Sequence, residues 1–167
     1  MATAHLSVAG SLSVNSVFGG LFSRGVAART LPKPQPTEGT TWAVAMYVDP
    51  QGKPAALTLF DFSLACYAGA ALSIVPASTA NECIQARQME ELLQDNLSEV
   101  LNIGSAVFNT PEGRHVRLKS MVLADDPAKA AGIPDDFKAI LAKPGERLDV
   151  NLTINGYGAG SAIFIGA

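Results

Sequence analysis

Four side chains near the middle of this 167-residue chain have the types and spacing to act together. In Asp95-Asn96-Leu97-Ser98-Glu99-Val100-Leu101-Asn102, polar groups recur three and four residues apart, the spacing that stacks side chains on one helical face. At 100° per residue, with Asp95 as zero, Glu99 falls at about +40°, Asn102 at about −20°, Glu91 at about −40° and Ser98 at about −60°. A carboxylate one turn from a carboxamide has two distinct uses. The carboxylate takes a cation, and the amide offers a donor and an acceptor on a short uncharged stem that can orient water.

A polar stripe is the ordinary outer face of a surface helix, and two features set this one apart. Between Glu91 and Glu99 the stripe holds three carboxylates and no Lys or Arg, so the usual Glu-to-Lys pairing at four residues is missing. Asn96 and Asn102 sit in mid-helix, where Asn is a poor helix former. The opposite face collects Leu93, Leu97, Val100, Leu101, Gly104, Val107 and Phe108. Gly104 costs about 1 kcal/mol against Ala, which a buried face tolerates where a neighbour packs closely. The pattern predicts one long amphipathic helix over roughly 80–109, opened by a Thr79–Glu82 capping box and stopped by Pro111 and Gly113.

The elements that must hold this helix are legible on either side of it. Val14, Val17, Phe18, Leu21 and Phe22 mark one face of an N-terminal helix, and Leu31-Pro32-Lys33-Pro34-Gln35-Pro36 is an extended connector. Trp42–Val48 and Ala55–Phe60 read as a hairpin around Asp49-Pro50-Gln51-Gly52. Asp61 caps an Ala-rich helix from about Phe62 to Ile74. His115–Leu123 alternates as a strand, 124–146 is an excursion with a small helix near Asp135–Ala142, and Leu148–Ile154 and Gly160–Ile165 flank an Asn155-Gly156 turn. The glycines at 156, 158 and 160 serve that hairpin, with a bulge as an option, and no ligand. The order predicts an α+β fold: a mostly antiparallel sheet of about five strands covered by helices, one domain over 1–167, with a helix and connector in 1–40 and the core in 41–167.

Composition narrows the function. Apolar residues make up 48% and charged ones 16%, a globular balance with a generous core. Twelve basic and fifteen acidic side chains give a net charge of −3 with no basic face, which argues against nucleic acid and anionic membrane as partners. No apolar run reaches the ~18–20 residues of a membrane span. Residues 1–37 lack Asp and Glu and carry Arg24 and Arg29, faintly like a transit peptide, but the helical face favours a docked helix. Cys66 and Cys83 have no thiol or histidine at metal-ligand spacing and read as buried reduced thiols; His5 and His115 are isolated. A Gly-rich phosphate loop opening a helix, a G-x-S-x-G elbow and a His–Glu metal pair are all missing.

The Asp95–Asn102 run resembles the D/S-x3-E-x2-N signature of the chemotaxis phosphatase family, the CheC, CheX and FliY type. The hairpin, Ala-rich helix, motif helix and terminal hairpin follow that family's order over about residues 41–166. Ile103-Gly104-Ser105-Ala106 is similar, though not identical, to the small residues the family places after its Asn. The resemblance implies hydrolysis of the phosphoaspartate of a response regulator in chemotaxis or related two-component signalling. Glu99 and Asn102 would be the catalytic pair: Glu99 aligning a partner lysine, Asn102 positioning the water that an acyl phosphate needs in line. Asp95 and Ser98 would touch the partner, and Mg²⁺ would belong to the response regulator, with no metal or cofactor on this chain. One motif copy points to the CheX-like form, a cytoplasmic homodimer. The competing readings are a non-catalytic adaptor, as in flagellar switch components of the same fold, and a purely structural acidic stripe.

Overall fold

The computed structural model describes residues 11–109 and 115–167. The expected helix stops at Pro111 and Gly113, and His5, lie outside the described residues. Among the described residues six strands form one antiparallel sheet: β1 (Val26–Thr30), β2 (Trp42–Val48), β3 (Pro54–Asp61), β4 (Arg117–Ala124), β5 (Glu146–Ile154) and β6 (Gly158–Gly166), in the order β1-β5-β6-β3-β2-β4. Five helices among the described residues accompany them: α1 (Ser11–Phe22), α2 (Phe62–Leu72), α3 (Ala77–Ala86), α4 (Glu91–Ile103) and α5 (Asp135–Ala142). The α+β architecture agrees with the sequence, and the strand count is six rather than five.

The additional strand is β1, in the segment before Thr41. It pairs with β5 along the sheet margin, Val26 opposite Ile154 and Thr30 opposite Val150. Its five residues are too few, and too mixed, for a strand pattern to stand out. The connector that follows is pinned by backbone and charge together. Leu31 N–H donates to the Asp149 carbonyl at 2.8 Å, and the Asp149 carboxylate accepts from Gln35 N–H at 2.8 Å while pairing with Arg147 at 2.8 Å.

The central strands are buried on both faces, and their residues alternate between two cores. Trp42, Val44, Met46 and Val48 of β2 join Leu57, Leu59, Ile163 and Ile165 beneath α5 and its flanking excursion. Ala43, Ala45 and Tyr47 point to the other face with Ala56, Phe60, Ala162 and Phe164, where α1, α2 and α4 pack. Alanines on this face let helices approach the sheet, and large residues from both sides fill the layer, Tyr47, Phe60 and Phe164 from the strands and Phe18, Leu64, Leu93 and Leu97 from the helices.

Asp61 caps α2 as expected, accepting from Leu64 N–H at 2.9 Å, and it also accepts from Ser161 N–H at 2.8 Å. Burial pushes its carboxyl above the ordinary carboxylate value, and those two backbone bonds oppose the rise. The Asn155-Gly156 turn forms with Gly156 at φ +85°. The β5–β6 register runs without a bulge. Gly158 and Gly160 instead admit α2, because a Cβ at either would collide with Tyr67 or with Asp61 and Leu64. Both cysteines are free and buried.

Candidate functional site

The long helix predicted over 80–109 is two helices and a 3-10 turn. Arg87 takes the left-handed conformation at φ +53°, its N–H shared between the carbonyls of Cys83 and Ile84, and Gln88 N–H returns to Cys83 O at 3.2 Å. Met89 then tucks into the core and α4 restarts at Glu91. The predicted Thr79–Glu82 capping box does not form: α3 starts two residues before Thr79, after Pro76, with no side-chain cap. After Ile103 the chain tightens into the 3-10 turn Gly104–Val107.

Three contacts fix α4 against the rest of the molecule. At its first turns, a Cβ on Gly69 of α2 would lie 2.6 Å from the Leu93 carbonyl oxygen, so the two backbones meet where only glycine fits. Asn96 donates from Nδ2 to the Gly69 carbonyl at 2.9 Å, which accounts for one of the two mid-helix asparagines as a structural bond. At the far end the Tyr47 hydroxyl donates to the Leu101 carbonyl at 2.6 Å. Gly104, as its buried face suggested, sits under a close neighbour: a Cβ there would come within 3.1 Å of the Phe18 ring.

This packing turns Asp95, Ser98, Glu99 and Asn102 outward together. All four line one open depression of about 440 Å³, whose other wall is Leu118, Lys119 and Ser120 of β4. Asp95, Glu99 and Asn102 are exposed and Ser98 is half-buried. Glu91 shares the stripe but lies outside this depression. Leu92 and Ile103, 54% and 41% exposed, flank the acidic centre on the same helix.

Nothing in the sequence marks the β4 wall as part of a site. In the β2–β4 ladder Met46 stands opposite Ser120 and Tyr47 opposite Leu118, which leaves Lys119 as the extra residue of a bulge. A bulge is set by backbone pairing, and the alternation of 115–123 gives no sign of it. The Lys119 ammonium lies over the Phe137 ring, 5.9 Å from its centroid, a cation–π arrangement. Among the described residues neither Asp95 nor Glu99 has an ion-pair partner within 4.0 Å, so the carboxylate face that lacked a helical lysine gains none from the sheet. No group of three or more His, Cys, Asp or Glu among the described residues could hold a metal. No helix among them is long and apolar enough to cross a membrane.

At the level of sequence, neither the protein-family models nor the curated proteins give a match. Solved structures do. FliY from Thermotoga maritima superposes with a TM-score of 0.62 at 9% identity, covering 92% of this chain and 81% of that one. The FliM middle domain from H. pylori gives 0.54 at 12% identity over 93% and 84%. CheX from Borrelia burgdorferi, in its complex with CheY, BeF3 and Mg²⁺, gives 0.50 at 10% identity over 92% of each chain. At such identities the likeness is one of fold, and it extends along nearly the whole chain. The chain has the fold shared by FliY, the FliM middle domain and CheX.

Proposed function

We propose that this chain is a phosphatase acting on the phosphoaspartate of a response regulator, with Glu99 and Asn102 as its catalytic pair. The observation that carries the reading is the shared depression: the motif residues converge on one open face with both carboxylates unpaired. An open face of this kind suits a folded partner whose reacting group projects toward it. Glu99 takes a cation beside the phosphoryl group, and Asn102 holds a water in line with the scissile bond. Because the transferring phosphoryl group is loosely bonded, placing that water is most of what the chain supplies. Asp95 and Ser98 contact the partner, and the Mg²⁺ that neutralises developing charge belongs to the partner. A fold neighbour, CheX from Borrelia burgdorferi, has been solved in complex with CheY, BeF3 and Mg²⁺, and on this reading this chain would take a partner of that kind. On the same reading the protein is cytoplasmic and a homodimer, which sedimentation velocity would check.

The test is the decay of a phosphorylated response regulator. Wild-type protein should accelerate it, and Asn102→Ala should lose on the order of a hundredfold in rate, the scale of one well-placed polar group. Equal rates for the two would remove Asn102 from the chemistry. A second reading, a non-catalytic adaptor, draws on the likeness to FliM middle domains. Binding of the regulator with no change in its dephosphorylation rate would select it.

A further inference from the structure

We infer that Tyr47 is a positioning residue for Asn102, acting through the peptide unit that joins Leu101 to Asn102; this rests on the phosphatase reading above. The Leu101 carbonyl and the Asn102 nitrogen belong to one planar group, so the 2.6 Å bond from the Tyr47 hydroxyl fixes the plane from which the Asn102 Cα projects. Leu101 lies in the last turn of α4, where carbonyls run out of helical donors. Without the phenol, the Leu101 carbonyl would lose this partner and the Leu101–Asn102 peptide plane its fixed tilt, and the outward-facing amide would shift with that plane.

The donor is built for constancy. Tyr47 is fully buried on β2, a strand paired on both sides, and both ladders shift register beside it. Its ring packs on Phe108 with centroids 5.3 Å apart, just beyond the 3-10 turn that follows α4. A buried phenol is retained where its O–H finds a partner, and phenylalanine would fill the same core space. Burial raises the phenol far above its ordinary titration range, so it is a donor at every working pH. The Thr58 hydroxyl opposes that rise weakly, from a position short of a well-formed hydrogen bond.

Tyr47→Phe removes the bond and keeps the ring. It should leave KM for the phosphorylated regulator within about twofold and lower kcat about tenfold, since sub-ångström misplacement of a catalytic group costs rate rather than binding. Ile163→Val, a conservative truncation on the opposite sheet face, controls for lost stability and should keep wild-type kcat. A Tyr47→Phe kcat equal to wild type, or an equal loss in Ile163→Val, would overturn the inference. If wild-type protein hydrolyses nothing, the phosphatase reading falls on that result alone, and NMR decides the role of Tyr47. The backbone and side-chain amides of Asn102 should then shift and broaden in Tyr47→Phe while the Asn96 side-chain amide, tied to Gly69, stays in place. Unchanged Asn102 resonances would refute the positioning role whatever the activity.

Discussion

Replacing Gly69 by alanine tests the account of how α4 is held. In an isolated helix the change gains about 1 kcal/mol, because alanine is the better helix former. Here the new Cβ would stand 2.6 Å from the Leu93 carbonyl oxygen, against 3.4 Å or more in ordinary contact, and the atom it meets is backbone. The helices must part, at a cost of about 1–3 kcal/mol for overpacking. Parting them also strains the Asn96–Gly69 bond of 2.9 Å, worth about 1 kcal/mol. The net is a loss of about 1–3 kcal/mol, or a Tm lower by roughly 4–8 °C for a middle value in a chain of this size. Thermal and urea unfolding followed by circular dichroism read it directly. Gly20→Ala supplies the opposite sign: Gly20 is exposed on α1, and a Cβ there would meet nothing within 4 Å, so stability should rise by about 0.5–1 kcal/mol. A Gly69→Ala protein as stable as wild type would refute the close-approach argument.

Other consequences are equally direct. Ile74 is 76% exposed, at φ +57°, just past the end of α2, where Ile74 N–H bonds Ala71 O and Val75 N–H bonds Ala70 O. Glycine is the usual residue at that place, so Ile74→Gly should raise stability by about 1 kcal/mol in urea titration. Asp61→Ala removes a cap shared with Ser161 and should cost about 1–2 kcal/mol. Because the folded carboxyl titrates above its ordinary value of 3.8, the native state binds the extra proton, and the Asp61 contribution falls as pH rises from 3.8 to the folded value. Asp61→Ala should flatten that part of the stability–pH curve. Cys66, its thiol pushed up to about 12 chiefly by burial, should resist alkylation until the protein unfolds. On the phosphatase reading, Leu92→Ala with Ile103→Ala, on the exposed flanks of the site, should raise KM for the regulator and spare kcat.

The motif helix shows where sequence reading succeeds and stops. Its apolar face, the outward placement of Asp95, Ser98, Glu99 and Asn102, and the cap at Asp61 follow from periodicity and side-chain chemistry alone. The break at 87 does not, because the left-handed residue that ends α3 is an arginine and the usual glycine signal is absent. Strand β1 is hidden for a related reason: it is held by backbone pairing to β5, which is blind to side-chain type. Asn96 is as anomalous in the sequence as Asn102, and only the fold separates them, one bonded inward to α2 and the other facing solvent. The far wall of the depression needs the β2–β4 register, a long-range fact.

That irregular register on β4 bears on more than the site. β4 is a free edge of the sheet, and an uninterrupted edge of this length would template pairing with another chain. The extra residue at Lys119 breaks the ladder repeat and twists the margin, while Arg117 and Lys119 charge it. The wall of the depression is therefore also a guard against aggregation. Deleting Lys119 should give β4 a regular ladder and a smoother edge, which would show as increased self-assembly in light scattering.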